Sequence, residues 1–246
     1  MRAPADTIPA PPFPPRAKWI NVASLRMDRQ LGRPVLLEFW DFCRPNSIRT
    51  LPYVRAWHER YEADGLRVIG VHSPGFDPSR DPDAVRAAVW RLGISHPVLL
   101  DTELQLWQEY ENEGWPARYL WDKRGMLFDY HYGEGSYADT ELAIQELLGV
   151  TREPLAPLRP EDDPAAELAP QTEDQPGVYS GPYQAGAVWA VLEGSGRAEV
   201  NGVEVAVEHP GAYLLVDHGR HTEAVLELTP GPGVVCHATC FTPGVV

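Results

Sequence analysis

The chain has 246 residues, enough for one large domain or two ordinary ones, so neither disulfides nor a metal is needed to hold a core together. Its formal charge of −14 disfavours nucleic acid and anionic membrane surfaces as partners, because both require a positive footprint, while a basic partner stays open. No stretch approaches the length of about 20 apolar residues that spans a bilayer. The N-terminal residues show no continuous apolar segment behind Arg2, so no secretory signal is read and the expected location is the cytoplasm.

Residues 1–18 carry repeated prolines without periodicity and are expected to form an extended lead-in. GRPVLLEFW is a mostly apolar run with too little alternation for a half-exposed strand, which predicts a central strand of a covered sheet. NSIRTLPYVRAWHERYEADG then reads as a helix, with Val54, Trp57 and Tyr61 at helical spacing and a kink expected at Pro52. LRVIGVH is a second buried-type strand. Behind it, Asp81 and Pro82 form a cap and first-turn pair for a helix burying Val85, Val89 and Leu92. A third strand at HPVLLD, a short helix at LQLWQEY and a hairpin turning at residues 122–125 follow. Ser136 and Asp139 have capping-box spacing before a closing helix. Strands alternating with helices and ending in a hairpin predict a mixed α/β sheet.

Residues 151–176 are rich in proline and acidic residues, cannot bury enough apolar surface to offset the entropy of ordering, and are expected as a linker. Beyond it, residues 177–246 lose the helical signal and show about six short strands between glycine and proline turns, with a strong hairpin signal at Asn201–Gly202. This predicts a small all-β antiparallel domain, a sandwich or jelly-roll-like structure, whose strand edges offer pairing between copies of the chain as a route to a homo-oligomer. Cys43, Cys236 and Cys240 are too few for a disulfide scaffold. Cys236 and Cys240 share one apparent strand, where four extended residues cover about 13 Å against a disulfide limit of about 7 Å, so both are expected as thiols.

The stretches KWINVASL, PVLLEFWDFCRPNSIRTLPYVRAWHERYEADGLRVIGVHSP, LGISHPVLLD, GWPARYLWDKRG and HYGEGSY run in order across residues 18–149. In that order they resemble the thioredoxin-like proteins of the TlpA and redoxin type, most closely the soluble C-terminal part of the cytochrome c biogenesis protein DipZ. The resemblance implies a thioredoxin-like domain over residues 19–150, a mixed central sheet with helices on both faces. VYSG and the β segment behind it look like a diverged version of the family's β-rich C-terminal domain. Laid on the family pattern, the two redox-cysteine positions become Arg44 and Ser47, and Cys43 stands one residue before the nucleophile. The Trp115–Pro116 pair fits the family's cis-proline loop, and Trp40, Asp41, Phe42, Trp115 and Pro116 become expected lining of a peptide groove.

Dithiol exchange needs an accessible thiolate and a resolving thiol about one helical turn away. Arginine and serine supply neither, so enzymatic activity stays open although the family class is thiol–disulfide oxidoreductase. Three readings remain: binding of a peptide or protein partner at the cis-proline groove without exchange chemistry; single-thiol oxidoreductase or peroxidase chemistry at Cys43; and a structural assembly module. Cys43 lies near a helix N-terminus with Arg44 and Arg49 close in sequence, which lowers a thiol pKa if the sulfur faces the site; as a core-facing residue it is inert. Asp217, His218 and His221, with His209 or His237, are the one local group resembling metal ligands, but they fall in a glycine-containing turn. No metal and no cofactor is assigned.

Overall fold

The computed structural model describes residues 1–5 and 7–246, and the chain divides into two compact units. The first comprises Met1–Asp41, Asn46–Gly75 and Val85–Ala156; the second comprises Phe42–Pro45, Phe76–Ala84 and Pro157–Val246.

In chain order the α/β part contains β1 (Lys18–Ile20), β2 (Val35–Trp40), α1 (Pro45–Tyr61), β3 (Arg67–His72), α2 (Pro82–Arg91), β4 (Val98–Leu100), α3 (Gln105–Glu109), β5 (Ala117–Trp121), β6 (Leu127–Tyr132) and α4 (Tyr137–Leu148). The strands form one sheet in the order β1-β4-β3-β2-β5-β6, with β2, β3 and β4 parallel and the others antiparallel to their neighbours. Every residue of β2 is buried, as a central strand between two helical layers requires. Val35, Leu37 and Phe39 pack on one face with Leu106 of α3, while Leu36 packs on the other with Tyr53, Val54, Trp57 and Tyr61 of α1 and Ile144 of α4. Helix α1 continues through Pro52, whose ring leaves the Ile48 carbonyl without its usual i+4 donor. Asp81 caps α2, its Oδ1 accepting the Asp83 N–H at 3.0 Å.

The closing helix starts differently from the capping-box expectation. It begins at Tyr137, and Ser136 takes a left-handed conformation with φ of 47° and makes no side-chain cap hydrogen bond. The lead-in is extended and also anchored. It runs along β6, the outer strand of the sheet, through the bonds Ala3 N to Phe128 O, Leu127 N to Ile8 O and Ala10 N to Gly125 O, and it buries Phe13 in the core. A sheet edge is thereby covered.

The second unit contains β7 (Leu168–Ala169), β8 (Gln175–Pro176), β9 (Gly181–Gly194), β10 (Gly196–Val200), β11 (Val203–Val207), β12 (Gly211–Leu226), β13 (Leu228–Pro230), β14 (Val234–Thr242) and β15 (Gly244–Val245). They form antiparallel sheets in the orders β12-β9-β14-β8, β11-β10-β13 and β15-β7. Asn201 and Gly202, both at positive φ, close the β10–β11 hairpin. In place of uniformly short strands, β9 and β12 run for 14 and 16 residues. The glycine-containing segment at Asp217–His221 is absorbed as a register shift against β9 rather than ending the strand. The expected linker is also drawn in: β7 pairs with β15 and β8 with β14, because edge pairing uses backbone groups and needs little side-chain burial. No helix among the described residues is long and apolar enough to cross a membrane.

Candidate functional site

Strand β2 delivers Trp40 and Asp41 to the start of α1, and both side chains are fully buried. The Asp41 carboxylate joins three segments. Its Oδ2 accepts the Gly75 N–H at 2.8 Å, its Oδ1 lies 3.5 Å from His72 Nε2, and its own backbone N–H donates to Ser47 Oγ at 3.2 Å. Trp40 meets His72 edge-on at 5.0 Å, and the Ser73 N–H donates to the Trp40 carbonyl. Ser47 is therefore a buried acceptor in the first turn of the helix, tying it to the strand end.

Phe42 and Cys43 are buried as well, with exposures of 1% and 0%. Within the second unit, the Phe42 carbonyl accepts the Ala212 N–H at 3.1 Å and the Arg44 guanidinium lies 4.5 Å over the Phe76 ring. Arg49 is directed to Glu134, with a 2.8 Å bond from Nε. All three cysteines are thiols rather than disulfides. Burial pushes the Cys236 and Cys240 thiols above their ordinary pKa, and Asp174 adds to the effect at Cys240, so both are held protonated.

The Trp115–Pro116 peptide is cis. The Trp115 indole N–H donates to the Ser73 carbonyl at 2.8 Å, and its ring stacks on Trp107 at 4.0 Å. Trp107 is placed by Asp101, whose carboxylate accepts the Leu106 and Trp107 N–H groups and the Ser73 hydroxyl, each at 2.9 Å. Burial raises the Asp101 pKa in spite of these bonds. Of the five expected groove residues, Trp40, Asp41, Phe42 and Pro116 are buried, and Trp115 is half-buried.

A charged layer in the sheet was not singled out from the sequence. Glu38 stands opposite Arg118 in the β2–β5 register, and both are buried. Neither Glu38 oxygen has a hydrogen-bond partner among the described residues, and desolvation pushes its pKa up to about 8 against the weaker opposing pull of Arg118. Arg118 donates to the Gly135 carbonyl at 2.6 Å and faces the Tyr137 ring at 5.0 Å. The available signal was an acid inside the apolar run VLLEFW. His96 is a second buried titratable group, pushed down to about 3 by burial and by His58 and Arg55. The histidine segment in β12 makes a different kind of contact, His218 Nε2 meeting the Tyr183 hydroxyl at 2.8 Å, and no cluster of three metal-ligating side chains occurs among the described residues.

No family model matches the chain. It is 36% identical over 164 residues to DipZ of Mycobacterium bovis, covering 64% of this chain and 23% of that protein. It is 27% identical over 143 residues to the thiol-disulfide oxidoreductase YkuV of Bacillus subtilis, covering 58% of this chain and 96% of that one. Among solved structures, a thiol-disulfide isomerase from Corynebacterium glutamicum superposes with a TM-score of 0.52 at 24% identity, over 58% of this chain and 98% of its own. The α/β unit has the thioredoxin fold. The chain spans less than a quarter of DipZ, and unlike a dithiol enzyme it has no closely spaced pair of cysteines near the start of α1. In this thioredoxin-fold unit, the strand end is surrounded by backbone and carboxylate hydrogen bonds and packed rings, with the Trp40 indole N–H unpartnered among the described residues and a buried acid, Glu38, two residues before Trp40.

Proposed function

We propose that this is a thioredoxin-fold protein without dithiol–disulfide exchange that holds a peptide or protein partner beside the cis Trp115–Pro116 bond. The carrying observation is at Ser47. Arg44 and Ser47 stand at the positions that the family resemblance assigns to the redox cysteines, and Ser47 is buried with its hydroxyl accepting the Asp41 N–H. A guanidinium and a buried hydroxyl cannot take part in an exchange that needs an accessible thiolate and a second thiol. What remains is a half-buried indole braced by Trp107 and by Ser73, a rigid aromatic surface of the kind that anchors a bound chain. Trp40 and Asp41 hold the same segment from the other side, the Trp40 carbonyl accepting the Ser73 N–H and the Asp41 carboxylate the Gly75 N–H. Full burial of Cys43 weighs against the single-thiol reading, since attack on a peroxide or a mixed disulfide requires access to the sulfur.

Two measurements on the whole chain test this. In a protein-disulfide reduction assay, the wild type and Cys43→Ala should both match buffer. Selection against a random peptide library should return binders whose affinity falls about tenfold, or 1.4 kcal/mol, in Trp115→Ala. Reduction that disappears in Cys43→Ala would establish thiol chemistry and sink the reading. A library yielding no Trp115-dependent binder would sink the binding half of it.

A further inference from the structure

Ala3 and Ala10 of the lead-in turn their N–H groups onto the β6 edge, donating to the Phe128 carbonyl at 3.1 Å and the Gly125 carbonyl at 2.9 Å, and the Ile8 carbonyl accepts from Leu127. Arg2 lies opposite Asp129 and Pro9 opposite Met126 as single bridges, so the covering chain pairs without becoming a strand. In an extended chain, alternate residues direct their N–H and C=O groups to opposite edges. The residues flanking Ala3 and Ala10 on the outer edge include Pro4, Pro9 and Pro11, none of which has an N–H to offer. The lead-in therefore satisfies β6 on its inner side and presents an outer rim without donors at those three places, where a further strand finds only acceptors.

The cover is light. Pro4, Ile8 and Pro9 are exposed and Ala3 and Ala10 half-buried, whereas Phe13 is buried against Trp19 and marks the point where the chain is anchored. Segments that bury little and are held by few backbone bonds open at low free-energy cost, without unfolding the core. Beneath the cover, β6 is complementary to itself. Tyr130 directs both of its backbone groups outward, its N–H donating to the Met1 carbonyl and its carbonyl accepting from the Met1 nitrogen. A residue of that kind forms a hydrogen-bonded antiparallel pair with its own copy across a two-fold axis. The same register sets the two Tyr130 rings side by side, an aromatic pair of the sort that stabilises adjacent strands, and places each Asp129 opposite a His131.

We propose that the lead-in is a removable sheet terminator, and that the β6 edge it covers is the surface on which a second copy of this chain pairs, strand to strand, when the lead-in is lifted. Its prolines guard twice: the chain that carries them occupies the edge, and their missing N–H groups keep that chain from becoming a new edge in its turn.

Sedimentation velocity and amide hydrogen exchange on the whole chain test this with two variants, neither of which alters a buried core residue. Ala3→Pro/Ala10→Pro removes both donors and sets a ring against the β6 backbone in place of each lost hydrogen. At low protein concentration its Leu127 and Tyr130 amides should exchange about tenfold faster than in the wild type. As concentration rises, its mass should climb towards that of a pair and the same amides should regain protection. Pro4→Ala/Pro9→Ala/Pro11→Ala supplies the missing outward donors instead, and should associate more than the wild type while Leu127 and Tyr130 keep wild-type protection. Wild-type exchange in the first variant, fast exchange there without any gain in mass, or a wild-type mass in the second variant would each overturn the proposal.

Discussion

Strand β2 buries two carboxylates three residues apart, and it treats them in opposite ways. At the strand end, Asp41 is satisfied by the Gly75 N–H and approached by His72, and its backbone is fastened to Ser47. In mid-strand, Glu38 has the charge of Arg118 nearby and, among the described residues, no hydrogen bond to either oxygen. An ionised carboxylate is tolerated inside a fold when donors surround it, and otherwise shifts its pKa until the neutral form prevails. The strand end is thus a hydrogen-bonded joint, whereas Glu38, three residues back, is a buried acid without a hydrogen-bond donor among the described residues.

The sharpest way to break this comparison is Asp41→Ala. It strips the Gly75 N–H of its acceptor and removes the carboxylate 3.5 Å from His72 at a fully buried position, with an expected loss of about 3 kcal/mol in urea unfolding. A loss under about 0.5 kcal/mol, the range of ordinary surface changes, would show that Asp41 is not a joint.

Glu38→Gln should act through pH. Because the folded-state pKa of Glu38 is raised from 4.5 to about 8, the native state binds more protons than the unfolded chain between those values, and stability falls as pH rises through that window. Above it both states are ionised and the slope from this group vanishes. His96 works in the opposite direction, since its depressed pKa favours the folded state as pH rises from about 3 towards 6.5. The difference between wild type and Glu38→Gln isolates the Glu38 part. The variant should gain on the wild type steadily across the window, by several kcal/mol in all. Parallel stability curves would mean that Glu38 does not carry the titration.

The smallest effects compare two serines at helix starts. Ser47→Ala removes a buried acceptor and should cost about 1 kcal/mol. Ser136→Ala removes a hydroxyl that makes no cap bond and should lie within about 0.5 kcal/mol of wild type in the same unfolding experiment. Equal losses at the two sites would erase the distinction.

Much of the secondary structure was legible in the sequence because its signals are local. The apolar runs of β2 and β3, the Asp81–Pro82 helix start and the Asn201–Gly202 turn each depend on neighbouring residues alone. Ser136 misled because capping-box spacing carries no information on backbone conformation, and the left-handed φ there directs the chain away from the cap geometry. Asp217–His221 misled because turn-forming residues also build register shifts inside a long strand. The neighbours of Glu38 and Asp41 were invisible for another reason: Arg118 arrives through strand register, and Gly75 and His72 through the parallel pairing of β3, neither of which leaves a mark beside the acid itself.

The stack of Trp107 on Trp115 has an optical consequence. Two indoles 4.0 Å apart with planes inclined at 23° share their excited states, so light absorbed by one is delocalised over both and the pair contributes a chiral doublet to the ultraviolet circular dichroism. One of these rings is fixed through Asp101 and the other precedes the cis bond. The doublet therefore provides a built-in spectroscopic gauge of that corner of the fold, one that Trp107→Phe or Trp115→Phe would each extinguish and that any molecule wedging the rings apart would dim.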